Sequence, residues 1–418
     1  MTVARRIYLD NAATSWPKPE AVYAAVQRAM RELGAPAGRS AYAEAAEVEQ
    51  AILNVRKDIA GLIGTDDPRR IVFTLNGTDA LNIAIHGVLQ AAGGSLKPEL
   101  QRTPGPQHVV TTVAEHNSVL RPLRALEDAG AIEVTRVSCG ADGIVDPADV
   151  RAALRPTTRL IAMTHASNVT GAIQPAADVG AIARQHGALF LLDAAQTLGD
   201  LPLDAQALGV DLLAAPGHKG LLGPLGTGVL YVRPGVEGQV RSVRQGGTGS
   251  RSDEDRQPDF LPDKFEPGNL NVPGIFGLGA SVAYLRGAGV GLQASGFRGQ
   301  PSTGRSLTSE VRALTARLID GVSAIAGVTI YGPRRADQRV AIVSMNIHGF
   351  DPQEVAASLD AARRVQVRSG IHCAPRMHEA LGTLATGGTV RLSIGPFNTA
   401  EDIDAAVEAV GALAATGV

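Results

Sequence analysis

Lys219 stands between glycines in Pro216-Gly217-His218-Lys219-Gly220, directly after the apolar run Leu212 to Ala215. A lysine in such a turn can be desolvated enough to populate its neutral amine, the form that attacks a carbonyl to give a Schiff base. The flanking glycines let a flat ring approach the backbone. A lone lysine is more often a solvated surface residue, so its partners decide the reading. One is Asp193, which closes the run Ala188 to Leu192 and opens Asp193-Ala194-Ala195-Gln196. Alone it reads as a helix cap; paired with a Schiff-base lysine it is the acid that keeps a pyridinium nitrogen protonated and the ring an electron sink. Another is Asn76-Gly77-Thr78-Asp79-Ala80-Leu81-Asn82, which follows the run ending at Phe73 and opens a helix. The free N–H groups around Gly77 and the Thr78 hydroxyl suit a phosphate dianion, with an ordinary capped helix as the alternative. Lysine, carboxylate and cradle together point to pyridoxal 5'-phosphate. Gln245-Gly246-Gly247-Thr248-Gly249-Ser250 offers similar donors, or is a flexible loop.

His116, in Ala114-Glu115-His116-Asn117, follows another strand, where an imidazole either stacks on a planar cofactor or is a hydrogen-bonded structural residue. Asn168, in His165-Ala166-Ser167-Asn168, closes the next strand and either bonds the cofactor's phenolic oxygen or makes an Asx turn. Cys373 lies in Arg368-Ser369-Gly370-Ile371-His372-Cys373-Ala374-Pro375. A thiol among Arg368, His372 and a helix N-terminus is expected to ionise more readily and to act as a thiolate nucleophile; the alternative is a small buried hydrophobe. Cys139 is read as the latter. Arg391, in Thr389-Val390-Arg391-Leu392-Ser393, is either a fork for a substrate carboxylate or half of an ion pair.

These residues need a frame that brings strand ends to one edge. Apolar or β-branched runs recur at Arg70 to Phe73, His108 to Val113, Ile132 to Val137, Leu160 to Thr164, Leu189 to Leu192, Leu212 to Ala215 and Val229 to Val232, each followed by a segment with helical spacing. That rhythm predicts an α/β fold whose ligands bind beyond the carboxyl ends of a mostly parallel sheet. Gly93 to Gln107 and Gly287 to Arg305 read as loops. Beyond them the spacing predicts helix Ser309 to Ile325, strands Val328 to Tyr331 and Val340 to Ile347, helix Pro352 to Leu359, a strand ending near Arg368, and helix Ala400 to Leu413. This is a smaller α+β domain, so the expected division is 20–285 against 1–19 plus 286–418. With 39 Lys and Arg against 41 Asp and Glu, the chain has no cationic excess for nucleic acid or anionic membranes. No run approaches the roughly 20 apolar residues of a membrane span, and no apolar stretch follows Arg5 and Arg6, so a cytoplasmic protein is expected. Two distant cysteines exclude a disulfide scaffold or a thiolate metal cage.

Taken in order, Tyr8-Leu9-Asp10-Asn11-Ala12-Ala13-Thr14, the stretch Gly217 to Gly228 and the close from Arg391 through Phe397-Asn398-Thr399 make the chain resemble the class V aminotransferase family of fold-type I pyridoxal phosphate enzymes. Within it, the resemblance is to the cysteine desulfurases and selenocysteine lyases. It implies a large mostly parallel seven-stranded sheet domain with a smaller α+β domain. It also implies that Lys219 forms the Schiff base, Asp193 pairs with the pyridine nitrogen, His116 stacks on the ring, and Asn168 and Gln196 bond the phenolic oxygen. Gly77, Thr78 and His218 hold the phosphate, and Ala12, Asn168, Arg368 and Arg391 meet the substrate. Cys373 is the sulfur-accepting cysteine, so the implied reaction turns L-cysteine into alanine and an enzyme persulfide. Such enzymes are homodimers, which puts Asn269 within reach of the neighbour's phosphate. A sulfur-acceptor protein is a further implied partner, since Ala374-Pro375 stiffens a short Cys373 loop. Three positions depart from the pattern. Pro216 replaces Ser or Thr and offers the phosphate neither hydroxyl nor N–H; Asn269 stands in place of Thr; Tyr42 takes a place where His is common near the substrate. The alternatives are a selenocysteine or cysteine-sulfinate lyase, a C–S lyase, an epimerase, or a non-catalytic partner protein that keeps the fold.

Overall fold

In the computed structural model, residues 5–38, 40–90, 106–288 and 307–416 are described. The two long loops expected from the sequence lie almost wholly outside them. Strand β1 (Ile7–Tyr8) opens the chain. Strands β2 (Ile71–Thr74), β3 (Gln107–Thr112), β4 (Ile132–Val137), β5 (Thr158–Thr164), β6 (Leu189–Asp193), β7 (Leu212–Pro216) and β8 (Gly228–Val232) form one seven-stranded sheet in the order β2-β8-β7-β6-β5-β3-β4. Only β8 runs against the rest: it pairs antiparallel with β2 and β7, and the other pairs are parallel.

The central strands read as uninterrupted apolar runs because both faces are covered. Phe190 and Leu192 of β6 join one core with Leu213 and Ala215 of β7 and with Val48, Ile52 and Ile59 of helix Ala43–Leu62. Leu189 and Leu191 join the opposite core with Leu212 and Ala214 and with helices Gly77–Leu89 and Asn117–Asp128. The period-2 alternation of a strand thus divides its side chains between two layers of helices. Parallel direction brings the ends of β2, β3, β5, β6 and β7 to one edge, where Gly77, His116, Asn168, Asp193 and Lys219 follow.

The C-terminal part adds β9 (Val328–Tyr331), β10 (Ile342–Ile347), β11 (Val365–Gln366), β12 (Arg368–Gly370) and β13 (Thr389–Ser393). An antiparallel sheet has the order β12-β13-β10-β9, and β11 pairs in parallel with β1. Helices Leu307–Ser323, Pro352–Arg363 and Ala400–Ala414 accompany it. Ile7 and Leu9 pack in the same core as Val343, Val365, Leu392 and Ile403. We propose on that ground that residues 1–19 plus 286–418 form one domain and 20–285 the other. Strand β10 begins at Ile342 rather than Val340 because Val340 donates its N–H across to Gly171 O at 2.9 Å.

Candidate active site

At the carboxyl edge of the large sheet lies a cavity of about 350 Å³, within the range of small-molecule sites. Eleven of the residues singled out from the sequence line it: Ala12, Gly77, Thr78, His116, Asn168, Asp193, Gln196, His218, Lys219, Arg368 and Arg391. Cys373 and Asn269 do not. Pro216, one of the three departures from the family pattern, lines it too, and the eight other lining residues, among them Ser118, Thr164 and Leu225, stand in the sequence only as parts of motifs or runs or carry no signal there.

Burial, with the cations of Arg391 and Arg368 helping, pushes Lys219 down to about 8, and nearby Asp193 opposes the shift. The amine is therefore partly neutral near physiological pH, as Schiff-base chemistry requires. Asp193, buried at the end of β6, accepts Ala195 N–H at 2.9 Å. Burial raises its carboxyl, while that N–H and Lys219 hold it down. A cationic partner such as a pyridinium N–H would complete its pairing. Behind it, Glu115 is fully buried and accepts Thr112 Oγ1 (2.6 Å) and Thr164 N–H (3.1 Å) on Oε1, leaving Oε2 without a partner. Burial pushes Glu115 up to about 8, and Asp193 adds to the rise.

At the cradle, Asn76 caps helix Gly77–Leu89 by accepting Asp79 N–H at 2.9 Å. A side chain on Gly77 would meet the Pro216 ring at 3.1 Å. Pro216 thus serves as a wall, fitted against a bare α-carbon. His218 Nδ1 is buried without a hydrogen-bond partner, and burial beside Lys219 and Lys18 pushes the imidazole down to about 4. An orphaned imidazole nitrogen and the open N-terminus of a thirteen-residue helix on one cavity wall fit a phosphate. His116 is the N-cap of helix Asn117–Asp128. Gln196 donates to Ala12 O at 3.2 Å, tying the N-terminal segment to the floor.

The opposite wall comes from the small sheet. Arg368 on β12 and Arg391 on β13 are direct cross-strand partners. Like charges directly opposite are destabilising, so this register calls for anions. Asp10 supplies one, accepting Arg391 Nη2 at 2.9 Å, while Arg391 Nη1 donates to Asn168 O at 3.0 Å. Arg391 is 1% exposed, and its Nε has no partner. It is therefore both ion-paired and left with a donor for a further acceptor such as a carboxylate. Asp10, present in the opening motif, was not singled out; its pairing depends on a fold contact that the sequence does not display.

Cys373 sits one side chain behind this wall, its Sγ 3.6 Å from Arg368 Nη2. His372 (φ +49°) and Cys373 (φ +58°) are consecutive left-handed residues, a conformation that costs roughly 1–3 kcal/mol each unless enforced. Here it is enforced from three sides. Asn168 Nδ2 donates to His372 O at 2.6 Å, Asn117 N–H donates to Cys373 O at 2.7 Å, and His372 Nε2 donates to Thr389 O at 3.1 Å. The Asn168 amide thus spends one hydrogen on the Cys373 turn. Asn269 and Tyr42 are exposed and lie outside this cavity.

The family model for aminotransferase class V matches residues 7–406. The chain is 36% identical over 413 residues to a probable cysteine desulfurase of Methanothermobacter thermautotrophicus, covering 98% of this chain and 95% of that one. It is 33% identical over 417 residues to the cysteine desulfurase IscS of Anaeromyxobacter dehalogenans, covering 97% and 91%. Among solved structures it is similar to the apo cysteine desulfurase of Thermococcus onnurineus NA1, with TM-score 0.85 and 30% identity over 98% of this chain and 95% of that one. It is also similar to the Escherichia coli cysteine desulfurase CsdA in its S-sulfonic acid form, with TM-score 0.83 and 26% identity over 99% and 96%.

Proposed function

The chain belongs to the class V aminotransferase family, and from that premise we infer that it is a cysteine desulfurase: L-cysteine gives L-alanine while its sulfur passes to Cys373. The observation that carries this reading is the Cys373 thiol held by Arg368, whose guanidinium also walls the cavity that contains Lys219. Pyridoxal 5'-phosphate, held by Lys219, Asp193, His218 and the Gly77–Thr78 helix end, supplies the electron sink at the substrate α-carbon.

The protein's own groups do the rest. Arg391, with its free Nε, takes the substrate carboxylate and fixes the amino acid against the wall. Lys219, lowered to about 8, takes the α-proton and later returns one. Cys373 then attacks the substrate sulfur: an S–S bond forms and the C–S bond breaks. The electron pair of that bond stays with carbon, which is protonated to give the alanine methyl group. The sum is L-cysteine plus enzyme thiol to L-alanine plus enzyme persulfide, with no outside oxidant. Arg368 holds Sγ beside the cavity.

Partners follow from the surface. A homodimer is supported by Asn269 lying outside its own cavity and by the exposed apolar side chains of Tyr23, Met30 and Leu225. A dedicated sulfur acceptor is supported by the clamped Cys373 turn, which has little freedom to swing outward. Among the described residues no helix is long and apolar enough to cross a membrane. The test is alanine formation from L-cysteine by the reconstituted protein, with mass spectrometry of the enzyme. Alanine together with one added sulfur on Cys373, both lost in Cys373→Ala, is the expected result. Alanine formation that survives Cys373→Ala would instead assign a lyase that releases its product without a persulfide.

A further inference from the structure

Ser118, a residue of a type common anywhere in a chain, joins two parts of the cavity, the Thr78 cradle and the His116 imidazole. We propose that Ser118 is a positioning residue that couples occupation of the phosphate cradle to the hydrogen bonding, and so the basicity, of His116. The inference rests on the reading of this cavity as a pyridoxal phosphate site.

The argument is one of proton counting along three side chains. Ser118 N–H donates to His116 Nδ1 at 3.1 Å. A backbone N–H can only donate, so Nδ1 carries a lone pair and the neutral imidazole holds its proton on Nε2. Ser118 Oγ lies 2.8 Å from the same Nδ1. A nitrogen without a proton can only accept, so the single hydroxyl proton of Ser118 is committed to it. Ser118 Oγ, at 2.7 Å from Thr78 Oγ1, must then be the acceptor of the Thr78 proton. The donors run in one direction, Thr78 to Ser118 to His116.

In that order Thr78 has no proton for an anion on its own helix N-terminus. A phosphate dianion only accepts, so seating one there turns the Thr78 hydroxyl toward it. The Thr78 oxygen then accepts from Ser118, and the Ser118 proton leaves Nδ1. Two hydroxyl groups rotate; no proton changes its heavy atom and no covalent bond is made or broken. His116 Nδ1 keeps the Ser118 N–H alone. A hydrogen bond to the lone pair favours the neutral ring, so its loss favours protonation. The groups that otherwise hold this imidazole neutral are its burial and the cations of Lys219, Arg368, Arg121 and Arg391. His116 thereby becomes a better proton acceptor once the cradle is filled, which reserves its full basicity for a correctly seated cofactor.

The test compares two ligands in the full-length protein labelled with nitrogen-15 histidine: pyridoxal phosphate, and pyridoxal, which has the same aldehyde and no phosphate. Long-range proton–nitrogen correlation spectra at neutral pH report both ring nitrogens of His116. The expected result is a proton on Nε2 in both complexes and a downfield shift of Nδ1 in the pyridoxal phosphate complex, as one hydrogen bond is lost. In Ser118→Ala, Nδ1 should sit downfield with either ligand and barely move between them; Ser118→Thr, which keeps the hydroxyl, should restore the movement. The same displacement in Ser118→Ala as in the native chain would leave only the direct field of the phosphate and overturn the relay, as would a proton found on Nδ1. If pyridoxal phosphate does not stay bound, inorganic phosphate is the probe, and unmoved His116 resonances overturn it too. None of these readouts uses L-cysteine, so a protein that makes no alanine can still show the coupling, and a failed coupling leaves the desulfurase reading in place.

Discussion

Lys219 is the residue on which the chemistry turns, and its environment dictates a pH dependence. A lysine in water is neutral only near its ordinary value of 10.5, whereas burial brings Lys219 to about 8. Its attacking form is therefore lost as pH falls through 8 and complete above it. The rate at which the cofactor-free protein captures added pyridoxal phosphate should rise with pH to a half-maximum near 8, read by rapid-mixing absorbance; a midpoint above 10 would mean the amine is solvated. Glu115 gives the opposite kind of signature. Its carboxyl moves from 4.5 in the open chain to about 8 in the fold, so the native state binds the extra proton. That contribution to stability is complete below 4.5 and is lost as pH rises to 8. Glu115→Gln matches the protonated side chain in shape and cannot ionise. We expect its stability to stay near native at pH 5 and to gain on the native protein by about 2 kcal/mol or more at pH 8.5, measured as paired urea unfolding curves; a pH-independent difference would show that Glu115 stays ionised.

The Cys373 turn shows what an element does that no residue does alone. Its two left-handed residues persist because Asn168, Asn117 and Thr389, from three different elements, hold the same short stretch. Asn168→Ala removes the shortest of these bonds. It should lower persulfide formation on Cys373 about tenfold, of the order of one lost hydrogen bond to a strained segment, with cofactor capture unchanged. Mass spectrometry and cofactor titration on one sample separate this from the role inferred for Asn168 by resemblance, where cofactor affinity would fall instead. The strands that position these loops were legible in the sequence because a doubly covered strand must be apolar throughout: Leu189 to Leu192 could hardly be anything else. Lys219, Asp193 and the Gly77 cradle were legible for a related reason, each following such a run. The Asn168 clamp, the Asp10–Arg391 pair and Ser118 were not, since each joins residues far apart in the chain or uses a type common anywhere. The two-residue strands β1 and β11 left no signal either, being shorter than any periodicity.

At the scale of the whole molecule, the site exists only where the two sheets meet. Arg391 and Arg368 belong to the small sheet, Lys219 and Asp193 to the large one, and the segment 168–173 touches both. Arg339 is the chief fastener there. It is 3% exposed, and rather than a carboxylate it finds main-chain carbonyls: Ile342 O at 2.8 Å, Pro333 O at 2.6 Å, Tyr331 O at 3.1 Å and Thr170 O from the turn that follows β5 of the large sheet. Around it, Val340 N–H donates to Gly171 O and Ile173 N–H to Gln338 O, while Ser344 Oγ donates to Val169 O at 2.6 Å. A guanidinium shared among four carbonyls, three of its bonds buried, welds the joint, since its removal takes a donor from all four acceptors at once. Arg339→Met keeps most of the volume and none of the donors. It should cost about 3 kcal/mol or more, at about 1–3 kcal/mol for each buried acceptor left without a donor, and let the sheets part before either melts, so that urea unfolding splits into two steps and alanine formation falls well before the first is complete. A single cooperative transition at the native midpoint would show that the small sheet is held by its apolar contacts alone. In that event the orientation of Arg391 toward Lys219 would have to come from the Asp10 pair and the Asn168 carbonyl.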